Sequence, residues 1–206
     1  MKETDLKLVA EGRLKRLTAL SKLNIVAELF DDRAIVWDPK LGYELFIAGF
    51  FGKPVGISKP KLAPFDEPLE LSMYETLYLV EKNILKVRKI KHGKEKYLTT
   101  KELMKICKST YRDFEAKYTV YKDLRERGYV VRPGLKFGSD FSVYRYGPGI
   151  DHAPFLVTVY SANTKLLGID FVRAGRLANS VRKKWVIATL LPDKTIRYFV
   201  FSWYRL

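Results

Sequence analysis

The chain has 206 residues, with 38 Lys and Arg against 23 Asp and Glu, a formal net charge of +15. Its hydrophobic fraction of 47% supplies a core for one large domain or two small ones, while the lack of any apolar run near the ~20 residues of a bilayer span and of a leader-like start in Met1-Lys2-Glu3-Thr4-Asp5 gives the expectation of a soluble, cytoplasmic protein. A single cysteine, Cys107, excludes an intrachain disulfide. Two separated histidines, His92 and His152, exclude the usual zinc spacings, and no Gly-rich phosphate loop is present, so neither metal nor other cofactor is expected.

In chain order, Ile25-Val26-Ala27-Glu28-Leu29 and Ala34-Ile35-Val36-Trp37 alternate as strands do, with Asp31-Asp32 as the turn. Gly42 to Ile47 reads as a short helix ended by Gly49, before the loop Phe50-Phe51-Gly52-Lys53-Pro54 and a link carrying Pro60, Pro64 and Pro68. Ser72 with Glu75 three residues on is a capping-box pattern, opening a helix whose apolar face continues through Leu77, Val80 and Leu85. Strands near Leu85 to Ile90 and Glu95 to Leu98 flank His92-Gly93, which makes His92 a turn residue. Thr100 is placed to cap a helix over Lys101 to Lys108. A longer helix from about Tyr111 to Arg127 stops at Gly128, with Phe114, Tyr118, Tyr121 and Leu124 as its core stripe.

After Gly128 the pattern changes. Tyr129-Val130-Val131, Phe141-Ser142-Val143-Tyr144 and Phe155 to Tyr160 read as strands. Gly168 to Val181 reads as a helix with Phe171, Leu177 and Val181 inward. Trp185 to Leu191 is a buried strand, Pro192-Asp193-Lys194-Thr195 a turn, and Ile196 to Tyr204 the last strand. The sequence therefore predicts an α+β fold. A small N-terminal α/β domain covers residues 1–108, and a C-terminal domain with a mixed sheet flanked by helices covers 109–206.

The excess of positive charge favours a polyanionic partner, because each neutralised phosphate releases counterions; a heat-adapted, Lys- and Arg-rich surface is the competing reading. Tyr144 ends a strand and precedes the turn-forming Arg145-Tyr146-Gly147-Pro148-Gly149. His152 follows that loop, and Lys183 ends a helix carrying Arg173, Arg176, Arg182 and Lys184. A phenol, an imidazole and an ammonium suit RNA transesterification. One group deprotonates the ribose 2′-hydroxyl, one protonates the leaving 5′-oxygen, and a cation steadies the extra charge on the phosphate. Each also has a plain alternative: a solvated histidine, a packed tyrosine, and basic residues favoured at a helix C-terminus by the macrodipole.

Several blocks, in order, carry a likeness. They are Tyr121 to Leu124 with Arg127-Gly128-Tyr129-Val130-Val131, then Gly134 to Phe141, then Val143-Tyr144, then His152 with Phe155-Leu156-Val157, and finally Arg176, Ala178 and Ser180 to Lys183. From Tyr118 onward the sequence resembles the catalytic domain of the archaeal tRNA-splicing endonucleases. More weakly, Tyr43-Glu44-Leu45, Gly49 to Lys53 and Leu69 to Val80 resemble that family's N-terminal domain. The resemblance implies a tRNA-intron lyase with Tyr144 as general base, His152 as general acid and Lys183 as transition-state stabiliser, and it makes the second domain the nuclease domain. It further implies metal-independent cleavage of precursor tRNA at a bulge-helix-bulge, leaving a 2′,3′-cyclic phosphate and a 5′-hydroxyl. Arg176 matches an arginine that stacks on a bulge base. Arg197 is a candidate for the opposing plane, and Arg173 and Arg182 for further RNA contacts.

The chain departs from the family pattern in a short segment between Tyr144 and His152, which makes Tyr146 a rival base, and in Ala153, where a serine is frequent. For a tyrosine base, nearby Lys or Arg is expected to favour the phenolate. The family works as a tetramer in which an acidic loop enters a neighbour's basic cleft. Pro192-Asp193-Lys194-Thr195 is a poor acidic plug, so a structural partner in a 2+2 heterotetramer is expected, with a homotetramer as the alternative. Phe199, Phe201 and Trp203 in the last strand suit an interface, with a buried core strand as the competing reading and room for both on opposite faces. The competing function is a non-catalytic structural subunit or RNA-binding module of the same complex.

Overall fold

The computed structural model describes residues 3–202. The chain divides into two compact units, Glu11–Phe114 and a second that joins the residues up to Ala10 with those from Glu115 onward. Helix α1 (Glu3–Leu20) has no counterpart in the sequence reading. Its apolar residues are spread around the helix instead of gathered in a stripe, so periodicity gave no signal.

The first unit is built on a six-stranded sheet in the order β3-β4-β2-β1-β5-β6. Its strands are β1 (Ile25–Leu29), β2 (Arg33–Val36), β3 (Lys53–Pro54), β4 (Leu69–Ser72), β5 (Leu85–Lys91) and β6 (Lys94–Tyr97). Only β1 and β5 run parallel. Helix α2 (Pro39–Gly49) starts where the Asp38 carboxylate caps the Lys40 and Leu41 amides. It ends at Phe50 in the left-handed region. Helix α3 (Met73–Glu81) opens on the expected capping box of Ser72 and Glu75. The Glu75 carboxylate is buried and also accepts the Gly52 amide at 2.9 Å, so one side chain ends a strand, starts a helix and ties down the loop before β3. Leu85 belongs to β5, not to this helix, because Lys82 caps it and Asn83 turns through positive φ. His92 and Gly93 both have positive φ between the paired Lys91 and Lys94, the geometry of a two-residue hairpin turn. Helix α4 (Thr100–Thr110) is capped by Thr99 with Glu102, one residue before the expected Thr100.

The expected long helix begins three residues later than Tyr111. Tyr111 caps α4, Asp113 takes φ 56, and α5 (Phe114–Glu126) begins afterwards. The stripe of Phe114, Tyr118, Tyr121 and Leu124 is buried as expected.

The second unit holds a five-stranded mixed sheet in the order β11-β10-β9-β8-β7. Its strands are β7 (Val130–Pro133), β8 (Phe141–Tyr144), β9 (Phe155–Ser161), β10 (Lys184–Leu190) and β11 (Ile196–Phe201). Strands β9 and β10 are parallel and are joined through helix α6 (Gly168–Ser180); the other pairs are antiparallel. This is the α+β architecture with a helix-flanked mixed sheet that the sequence predicts. Tyr121 of α5 packs on Phe141, while Ala178 of α6 packs with Leu156, Trp185 and Ile187 on the other face. Ala178 is the buried residue of α6. Leu177 and Phe171, expected inward, are substantially exposed, although the Phe171 ring still meets Trp185 and Phe201 edge-on. A small residue, Ala178, fills the buried contact with the sheet, and Ala174 and Val181 pack partly buried beside it. Trp203, and with it the end of the expected last strand, lies outside the described residues.

Candidate active site

Sheet register brings the candidate residues to one end of three strands. Lys184 pairs with Phe155 across the parallel β9–β10 ladder, and Val143 pairs with Phe155 across the antiparallel β8–β9 ladder. Residues just before β9 and β10 therefore lie beside the last residue of β8. Those residues are His152, Lys183 and Tyr144. The Lys184 amide extends the ladder to the Pro154 carbonyl at 2.9 Å, and the Lys183 ammonium donates to the Ala153 carbonyl at 2.9 Å.

Two of the side chains also share a face. Strand alternation puts Tyr144, next to Val143, on the α6 side of the sheet. The Lys183 ammonium lies 5.6 Å from the ring centroid of Phe137, which packs on the α6-side cluster. His152 is exposed at the same end. Lys183 is delivered there by the way α6 stops: Arg182 adopts φ 55, and the Lys183 amide bonds back to the Ala178 carbonyl at 2.8 Å. This is a Schellman turn with arginine where glycine is usual. A bulky cation in a left-handed position beside Lys183 is a strained residue of the kind that gathers at functional sites.

The electrostatics set the expected help of a nearby cation against burial. Burial pushes the Tyr144 phenol above its ordinary value; Arg132 opposes this and the Asp151 carboxylate adds to it. The net direction disfavours the phenolate, because desolvation outweighs the one arginine. Burial also lowers the Lys183 ammonium, with Asp151 acting against it. Among the described residues, no three His, Cys, Asp or Glu side chains gather as a metal site would require.

The arginines divide into two groups. Arg182, Arg176 and Arg173 run back from this end along α6 and are all exposed. Arg173 lines a groove with Phe137, Gly138, Thr158 and Tyr160, and Arg182 lines one with Phe171 and Phe201. Arg197 is not brought to this end. It pairs with Thr189, four steps beyond the Trp185–Phe201 pair, about 13 Å along the strand at ~3.3 Å per residue. Tyr146 lies in the loop two residues past β8. Sequence reasoning missed Asp151, whose signal was an acid directly before the candidate histidine at the end of a Gly-Pro-Gly turn.

A basic chain with a helix-flanked mixed sheet, and a phenol, an imidazole and an ammonium placed toward one sheet end, is an α+β protein with a candidate polar site. Residues 114–198 match the family described as tRNA intron endonuclease, catalytic C-terminal domain, and residues 25–104 match the tRNA intron endonuclease N-terminal domain. The chain is 44% identical over 181 residues to a tRNA-splicing endonuclease of Hyperthermus butylicus, covering 87% of this chain and 98% of that protein. It is 37% identical over 184 residues to one of Sulfurisphaera tokodaii, covering 88% and 100%, and 40% identical over 165 residues to one of Saccharolobus solfataricus, covering 79% and 88%. The chain belongs to the tRNA intron endonuclease family. Among its described residues, no helix is long and apolar enough to cross a membrane.

Proposed function

We propose that this chain is the catalytic subunit of a tRNA-splicing endonuclease that cuts precursor tRNA at a bulge-helix-bulge without a metal. The observation that supports the reading is the sheet register, which puts the chain positions of Tyr144 and Lys183 and the lead-in of β9 that carries His152 at one end of β8, β9 and β10. The ribose 2′-oxygen attacks the adjacent phosphorus as Tyr144 takes its proton. The bond from phosphorus to the 5′-oxygen breaks as His152 gives that oxygen a proton. The products are a 2′,3′-cyclic phosphate and a 5′-hydroxyl. Lys183 stabilises the additional charge on the phosphate in between. The raised phenol makes phenolate scarce at neutral pH and a stronger base once formed.

Arg176, Arg173 and Arg182 hold the RNA, with guanidinium faces available for stacking on unpaired bulge bases. Arg197 contacts RNA away from the cleaved bond. In the β10–β11 turn, the Asp193 carboxylate is already bonded to the Thr195 amide and hydroxyl, which supports an acidic loop coming from a separate structural subunit in a 2+2 assembly. Exposed Phe199 and Val200 on β11, the end strand of the sheet, support an interface there. An active tetramer formed by the purified chain alone contradicts the heteromer.

The test is a bulge-helix-bulge RNA incubated with the chain, with and without candidate partners, in EDTA. Cyclic phosphate and 5′-hydroxyl ends are expected. Cleavage that needs a divalent ion, or 5′-phosphate ends, overturns the reading.

A further inference from the structure

One carboxylate closes the loop between Tyr144 and His152. Asp151 Oδ2 accepts the Arg145 amide at 3.0 Å and Oδ1 accepts the Gly147 amide at 2.7 Å. The Asp151 amide in turn donates to the Gly147 carbonyl at 3.0 Å, where Ile150 also donates at 3.1 Å. Gly147 at φ 134 and Gly149 at φ 84 allow the tight path. Asp151 thus bonds to the residue that follows Tyr144 and immediately precedes His152.

We propose that Asp151 is the positioning residue of this site, its carboxylate fixing the loop that sets Tyr144 against His152. The inference rests on the reading of those two as base and acid. A carboxylate suits the task because each oxygen accepts one backbone amide. An asparagine offers one acceptor and would turn its NH₂ toward the other donor.

The choice has an electrostatic cost. Asp151 disfavours the Tyr144 phenolate, against Arg132 on β7, while it favours the Lys183 ammonium across the sheet end. A negative group works against the phenolate and for the ammonium, so the part of its role that the two amide bonds carry is geometric. This separates Asp151 from an ordinary loop residue: removing it should speed one part of the reaction chemistry while spoiling the alignment.

The test uses the full chain, with its partner if one is needed, under single-turnover, saturating conditions. The substrates are a bulge-helix-bulge RNA and the same RNA with a 5′-bridging phosphorothioate, whose leaving group needs no proton. Asp151→Asn should cut the ordinary RNA about 10-fold or more slowly, since small misplacements of reacting groups cost this much, with RNA Kd within about twofold. On the phosphorothioate RNA its rate should level off at a lower pH than wild type, because the charge facing the phenol is gone.

Rates within about twofold of wild type at every pH overturn the proposal. So does a slower variant with an unmoved pH profile, or one whose loss follows a fall in Tm or RNA affinity, since either marks a general structural role. If Asp151→Asn does not fold, hydrogen exchange on the wild-type chain decides. Protected Arg145 and Gly147 amides support the clamp, and freely exchanging ones overturn it. Tyr144→Phe and His152→Ala run alongside. If these cut normally, the catalytic reading itself fails; if they are inactive while Asp151→Asn is normal, only this inference fails.

Discussion

The Lys183 ammonium donates to the carbonyl of Ala153, the residue after His152, at 2.9 Å. The cation at the start of one parallel strand is thereby tied to the lead-in of its neighbour. The bond uses one of three ammonium protons and leaves two for a phosphate.

That geometry predicts a rate defect and little binding defect at this position. Lys183→Ala should slow single-turnover cleavage by about 100-fold to 1,000-fold, the usual loss when a donor to a developing negative charge is removed. RNA affinity, which the proposed function assigns to Arg173, Arg176 and Arg182, should change little. A variant that loses affinity and rate in equal measure would make Lys183 a binding residue only.

The Tyr144 phenol is raised above its ordinary value by burial, so its reactive, deprotonated form grows with pH and is incomplete below about 10. On an RNA whose leaving group needs no acid, cleavage should rise with pH through 9 without levelling. Tyr144→Phe should be slower by at least about 100-fold and lose that slope. Tyr146→Phe should behave as wild type; the opposite assignment of slope would move the base to Tyr146.

Arg132 is the cation that acts against burial at Tyr144. Arg132→Ala should push the phenol further up and slow cleavage at neutral pH, while high pH recovers part of the loss. A defect of equal size at pH 7 and pH 10 would place the role of Arg132 elsewhere.

Trp185 is 3% exposed, meets Phe171 and Phe201, and donates its indole N–H to Thr158 at 3.0 Å. Trp185→Ala should destabilise the second unit by about 3–5 kcal/mol, as large-to-small core substitutions do. Urea unfolding followed by far-UV circular dichroism measures it. A loss under about 1 kcal/mol would mean that the α6-side contacts contribute little.

Much of this architecture was legible because local signals were strong. The Ser72–Glu75 capping box, the His92-Gly93 hairpin and the run Phe141 to Tyr144 each specify their element from a few neighbouring residues. Helix α1 was missed because no apolar stripe marks it, and the start of α5 falls three residues later than read because Asp113, a non-glycine left-handed residue, leaves no compositional trace. The site residues were named from type and family likeness, but their meeting depends on the parallel register of β9 with β10, a nonlocal pairing. The antiparallel pairing of β10 with β11 carries Arg197 away from them, and burial, invisible in a string of letters, outweighs the help that a nearby cation gives the Tyr144 phenolate.

The most direct measurement replaces the single 2′-hydroxyl next to the scissile phosphate with hydrogen, in an otherwise unchanged bulge-helix-bulge RNA, and follows cleavage in EDTA. If Tyr144, His152 and Lys183 act together on an internal ribose attack, binding persists and no cut appears at that bond. Cleavage of the deoxy-substituted site would contradict the account, because the nucleophile would then come from elsewhere.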